Sequence, residues 1–159
     1  MAAYTLLLLV ATVGAGLNAG LFFIFSVCIM AALGRLPAGE GMAAMNAINV
    51  VIQNPLFFAA FMGTALLAVA IVVLAFVSGA AGSGLASAAA VLFLVGTLGV
   101  TIVFNVPMND ALAAVNPASP EGEALWKTYL SNWTAWNHVR TVTSIASLVL
   151  FILAYAKAT

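Results

Sequence analysis

The chain has 159 residues, 65% of them hydrophobic and only 5% charged, and four bases offset four acids to give zero formal net charge. A soluble domain is typically about 45–50% apolar and about 25% charged, so this composition cannot build a water-facing surface and lipid must surround most of the molecule. No basic run offers nucleic acid an electrostatic footprint, and the single Cys28 excludes both an internal disulfide and a Cys-based metal cluster.

The length suits one domain, residues 1–159. A helix needs about 20 apolar residues to cross a hydrocarbon core about 30 Å thick. Segments 5–33, 55–77, 85–106 and 139–156 meet that requirement. The first has no positively charged lead and exceeds the apolar region of about 7–15 residues in a signal peptide, so it reads as a retained helix. An even number of spans places both ends of the chain on one side. The expected fold is therefore all-α: an antiparallel bundle of four transmembrane helices, with helical extensions on one membrane face.

The connections are unequal. SGAAGSG at 78–84 is a tight turn between the second and third spans. Connections 34–54 and 107–138 lie together on the opposite face and hold nearly all the ionisable groups. In the first of them Met42, Met45, Ile48 and Ile52 recur at helical spacing, with Asn46, Asn49 and Gln53 as a second stripe. Asn54-Pro55 reads as an N-cap followed by Pro at the first helical position; the alternative is one long helix kinked at Pro55. Ser119-Pro120-Glu121 is a second helix start. A helix running from there to Ala156 would reach about 55 Å and project beyond the bilayer, with Trp126, Tyr129, Trp133 and Trp136 placed as an interfacial aromatic belt. Arg35, Lys127 and Arg140 on this elaborated side, against Lys157 on the other, leave the orientation open.

The informative feature is a set of polar side chains at the elaborated end. Asn49, Gln53 and Asn54 approach the second span, Asn105, Asn109 and Asp110 leave the third, and Trp133, Trp136, Asn137, His138 and Arg140 enter the fourth. Antiparallel neighbours bring all three groups to one membrane level. Asn105 and Asn109 are four apart, and Trp133, Asn137 and Arg140 share a helix face. Any one amide can simply bond helix to helix, at about 0.6–2 kcal/mol. Burying the whole set with a guanidinium is costly unless it serves something, and a ligand-filled or aqueous cavity is the simplest account. Asp110 is the first partner expected for Arg140 and Glu40 the second, as a structural ion pair before a catalytic dyad. His138, the only imidazole, reads equally as a base or as an exposed interfacial residue. One His with scattered carboxylates makes no metal set, and no nucleotide, flavin or haem motif is present.

Asn49 with Gln53-Asn54-Pro55, then Asn105-Val106-Pro107-Met108-Asn109, then WTAWNHVR at 133–140, each at the start or end of a span, resemble the anthrone oxygenase-like family of small four-helix membrane proteins. The resemblance covers nearly the whole chain. Characterised fungal members of that family oxidise anthrones to anthraquinones with dioxygen and are described as needing no added cofactor; many bacterial members have no assigned function. The resemblance implies an oxygenase acting on a lipophilic polycyclic phenol, no cofactor, and a multi-pass location in a bacterial plasma membrane. Under it, Asn49, Gln53, Asn54, Asn105, Asn109, Asn137, Trp133 and Trp136 would bind substrate, Arg140 would stabilise the oxyanion, and His138 or Asp110 would take the proton.

Other classes stay open on the residues. A non-enzymatic module binding a lipid or hydrophobic small molecule, or a subunit of a membrane complex, has the same composition. Small-residue runs 11–20 and 79–90 permit close helix approach within or between protomers, so a homo-oligomer is an open expectation. A transporter would want more helices or clearer repeats, and a channel would want polar groups through the full membrane depth.

Overall fold

The computed structural model describes residues 2–159. They form an all-α bundle without strands: α1 (Ala3–Leu33), α2 (Ala38–Val51), α3 (Pro55–Ser78), α4 (Ser83–Ala114) and α5 (Pro120–Ala158). All except α2 are long and apolar enough to cross a membrane, and they contain the four segments expected from the sequence. Their outward faces carry bare aliphatic and aromatic side chains, such as Leu17, Leu66 and Phe76. This is an integral, multi-pass membrane protein.

The four long helices close a ring in which α1 packs on α5, α5 on α4, α4 on α3 and α3 on α1. Chain direction makes each neighbouring pair antiparallel. The ring tapers because of what fills it. At the end holding the α3–α4 turn the core is Leu8, Ala11, Ala15, Ala68, Ala86, Ala89 and Ala154 with Ile71 and Phe151. Small side chains let helix axes approach. Gly82 belongs to this tight end: its φ of 80° and a Cβ position 2.6 Å from the Ala154 carbonyl oxygen leave no room for another residue. At the other end Phe25, Met42, Met45, Leu112, Trp126, Tyr129 and Trp133 fill the centre, and these large side chains hold the helices apart.

Caps and wide turns set the elaborated end. Asn54 Oδ1 accepts from the Leu56 and Phe57 backbone N–H groups, each at 3.1 Å, so α3 starts at Pro55 as a capped helix and the kinked-helix alternative does not occur. Ser119 Oγ accepts from Gly122 N–H at 3.1 Å and starts the 39-residue α5. At about 1.5 Å per residue α5 spans roughly 58 Å and overruns the bilayer. α2 lies against this overrun, and Gly41 lets it do so: a Cβ there would come 2.7 Å from the Trp126 ring.

α1 contains a π-helical turn at Phe25–Ile29, and α4 contains two, at Phe93–Gly99 and Thr101–Asn105. The second α4 turn has a cause in sequence. Pro107 offers no N–H to the carbonyl one turn back and crowds it; Val106 N–H instead reaches the Thr101 carbonyl, widening the turn. Helix periodicity alone does not announce such turns, and they are often found where a helix contributes to a site.

Candidate functional site

The wide end of the bundle encloses a cavity of about 350 Å³. α1 lines it with Leu21, Phe22 and Phe25; α3 with Phe57, Phe58, Phe61 and Met62; α4 with Leu98, Thr101 and Ile102. Ile48, Asn49, Ile52 and Gln53 come from α2 and its C-terminal edge, Asn109 and Asp110 from the end of α4, and Trp133 and Arg140 from α5. The wall is therefore mostly apolar with a few convergent polar groups, the usual make-up of a small-molecule site.

Arg140 is the central charge. It is buried, with 5% of its surface exposed. Its Nη2 donates to Asn137 Oδ1 at 2.8 Å and its Nη1 to Thr101 Oγ1 at 3.3 Å. The guanidinium carbon lies 4.4 Å from the Phe22 ring centre and 4.9 Å from that of Trp133, an arrangement in which ring faces attract the cation. Nε is buried with no hydrogen-bond partner. The expected pairing with Asp110 or Glu40 does not form: among the described residues the salt bridge present is Lys127–Glu123, an exposed pair. Asp110 is exposed at the cavity rim instead. The wide turn before it changes the rotational phase of α4, which spacing counted at 3.6 residues per turn does not capture.

Asn137 fixes Arg140. Its Nδ2 donates to the Phe22 carbonyl and to Ser26 Oγ, both at 2.8 Å, which clamps α5 to α1 at the π-helical turn. Asn109 is the second organising amide. Its Oδ1 accepts from the Tyr129 hydroxyl and from Trp133 Nε1, each at 2.8 Å. With both lone pairs of that oxygen taken, the NH2 of Asn109 is what the side chain can offer a ligand. Asn49 Nδ2 is buried and has no hydrogen-bond partner. Asn105 Nδ2 donates to the Trp133 carbonyl at 3.2 Å, and its Oδ1 is buried and unpartnered.

The expected site residues therefore separate. Asn49, Gln53, Asn109, Asp110, Trp133 and Arg140 border one cavity. Asn105 and Asn137 are buried behind it as supports. Asn54 is occupied as the α3 cap. Trp136 stacks on Phe104, ring centres 3.6 Å apart, outside the cavity wall. His138 is exposed and its Nδ1 meets Ser26 Oγ at 2.9 Å, also outside the wall. The aromatic belt is corrected too: Trp126, Tyr129 and Trp133 are buried in the core rather than facing the interface. Sequence reasoning passed over Phe22, Phe57, Phe61, Thr101 and Ser26. The stacked Phe57–Phe61 pair, ring centres 5.4 Å apart, has i, i+4 spacing, but a lipid-facing pair would look the same.

Chemically, this is an apolar box bordered by Arg140 and the amides of Asn109 and Asn49, with the Asp110 carboxylate at the rim. Among the described residues, no group of three or more His, Cys, Asp or Glu side chains gathers to hold a metal.

Residues 55–150 match the family model described as anthrone oxygenase. The chain belongs to the anthrone oxygenase family. No curated protein and no solved structure matches it significantly. The matched stretch contains α3, α4 and most of α5, and with them Asn109, Asp110, Trp133 and Arg140 of this family member's cavity.

Proposed function

We propose that this protein oxidises a lipophilic anthrone-type phenol with dioxygen, using the cavity around Arg140 and no added cofactor. The observation that carries the proposal is a buried guanidinium that borders an apolar cavity and has no carboxylate partner among the described residues. Such a group is set to receive an anionic oxygen.

The chemistry asks little of the protein. The anthrone methylene loses one proton and becomes an enolate whose charge sits on oxygen. Arg140 and the Asn109 amide stabilise that oxygen in a low-dielectric surrounding, where donors act most strongly. Asp110 takes the proton at the rim. The enolate passes one electron to O2, giving a carbon radical and superoxide, and the two join through a new C–O bond. Protonation gives a hydroperoxide. Loss of the second C–H proton and cleavage of the O–O bond release water and leave the ketone. One methylene and one O2 become one carbonyl and one water.

Oxygen uptake by the protein in lipid nanodiscs, with anthrone as substrate and anthraquinone as the measured product, tests this. Replacing Arg140→Met should lower kcat by about 100–1,000-fold, the usual loss when an oxyanion donor is removed. Full turnover by a folded Arg140→Met protein contradicts the proposal. Anthrone binding without oxygen uptake by the unaltered protein would instead favour a non-enzymatic binding module.

A further inference from the structure

The cavity wall includes side chains that also face outward. Phe58 and Met62 on α3, and Ile102 and Val106 on α4, border the cavity and are each between 40% and 57% exposed. Both pairs have i, i+4 spacing, so each is one stripe of its helix. Both pairs border one cavity and lie on the neighbouring helices α3 and α4. The α3–α4 seam is closed near the turn, where α3 packs on Ser83–Leu92 and Phe93–Gly99, and it is open further along, where α3 scarcely meets Thr101–Asn105 or Val106–Ala114. The second π-helical turn of α4, Thr101–Asn105, falls where the helices part. Gln53 and Asp110, exposed and polar, border the same cavity next to α2.

We infer that the ligand reaches Arg140 sideways from the bilayer, through a mouth between α3 and α4 framed by Phe58, Met62, Ile102 and Val106. The mouth is apolar on the membrane side and polar at the α2 edge, and its inner wall carries a cation. It therefore selects an amphiphile: a flat or narrow hydrophobic body carrying an acidic hydroxyl, already dissolved in the membrane with its oxygen toward the headgroups. Such a molecule enters with its polar end leading toward Arg140 and Asn109. A strongly water-soluble substrate gains nothing from this route. The inference rests on the lipophilic-substrate reading above, but it concerns binding and not oxidation.

The test uses 1,8-dihydroxyanthraquinone, which is already oxidised, and the full-length protein in phosphatidylcholine nanodiscs. Stopped-flow quenching of tryptophan fluorescence reports association and dissociation. Narrowing the mouth with Met62→Phe and Ile102→Phe together should slow both association and dissociation by at least about five-fold, as for a gate. Widening it with Phe58→Ala should speed both. Val73→Phe, lipid-exposed on α3 but three turns beyond the mouth toward the α3–α4 turn, should change neither. Unaltered rates in both the narrowed and the widened proteins overturn the inference, as does failure of the unaltered protein to bind the probe. A Gln53→Phe protein that alone slows both rates would place access on the aqueous edge and also overturn it. Mouth-dependent binding without anthrone oxidation would leave the inference standing and remove the oxygenase reading; oxidation indifferent to the mouth would do the reverse.

Discussion

Arg140 Nη2 donates to Asn137 Oδ1 at 2.8 Å, three residues earlier on the same helix, and this neutral amide occupies the place where a buried arginine usually meets an acid. A carboxylate there would cancel the guanidinium charge before a substrate could use it. An amide orients the guanidinium and leaves the charge available. The same Asn137 holds α1 through the Phe22 carbonyl and Ser26 Oγ, so the orientation of Arg140 is tied to the packing of two helices.

Asn137→Asp alters both duties, because it also replaces the Nδ2 donor to the Phe22 carbonyl and Ser26 Oγ with an oxygen. It puts an anion beside Arg140 and keeps an acceptor for Nη2. Anthrone turnover should fall by at least about 100-fold, because the charge that would stabilise the oxyanion is already neutralised. Stability should fall as well, because the α1 clamp loses its donor, so turnover is compared per folded molecule, judged by helical circular dichroism and elution in detergent. Unchanged turnover would mean that the free charge of Arg140 is not used.

Asn109 offers a similar contrast. Asn109→Leu leaves the Tyr129 hydroxyl and Trp133 Nε1 without their acceptor, and each orphaned buried donor costs about 1–3 kcal/mol. Asn109→Asp keeps an acceptor and loses the NH2. Thermal unfolding in detergent should show a clear drop for the leucine variant and a smaller one for the aspartate variant. Both should lose most anthrone turnover. Equal stability of the leucine variant and the unaltered protein would contradict the bonding role assigned to the amide.

The two candidate bases make opposite predictions. His138 lies outside the cavity wall and Asp110 lies on its rim. His138→Ala should keep at least about half of the turnover, whereas Asp110→Asn should lose about 100-fold, the usual share of general-base catalysis. Anthrone oxidation assayed on both variants decides between them, and the reverse pattern would move the proton transfer to the imidazole.

Asn54 provides a test of folding that is distinct from chemistry. Asn54→Ala removes the acceptor for two backbone N–H groups of α3 and should cost about 1 kcal/mol, while Asn54→Asp should cost little. Turnover per folded molecule should be nearly unchanged in both, since the side chain is committed to the cap. Thermal unfolding and a turnover assay on the same preparations check the two statements together.

These residues also show how far the sequence could be read. The four spans follow from uninterrupted apolar length, and Asn54-Pro55 and Ser119-Pro120 mark helix starts because a side-chain acceptor and a ring-fixed φ have only one comfortable use there. The gathering of Asn109, Trp133 and Arg140 follows from counting antiparallel spans. Rotational detail does not follow. The wide turns at Phe93–Gly99 and Thr101–Asn105 shift the phase of everything after them, so Asp110 was expected opposite Arg140 and lies at the rim. His138 and Trp136 are neighbours of a buried Asn137, and the rotation of about 100° per residue along a helix turns them off the cavity. Phe57 and Phe61 line the site, yet in a membrane helix a phenyl facing a ligand and one facing lipid have the same sequence signature.

The central claim is that Arg140 stabilises an oxyanion inside the cavity, and ionisation of bound anthrone measures it directly. Without oxygen the enolate cannot react onward, and its absorbance can be followed as pH is raised. In nanodiscs carrying the unaltered protein, bound anthrone should ionise at a clearly lower pH than in empty nanodiscs, and Arg140→Met should remove that difference. Identical ionisation curves for the unaltered and Arg140→Met proteins, with anthrone bound to both, would contradict the claim.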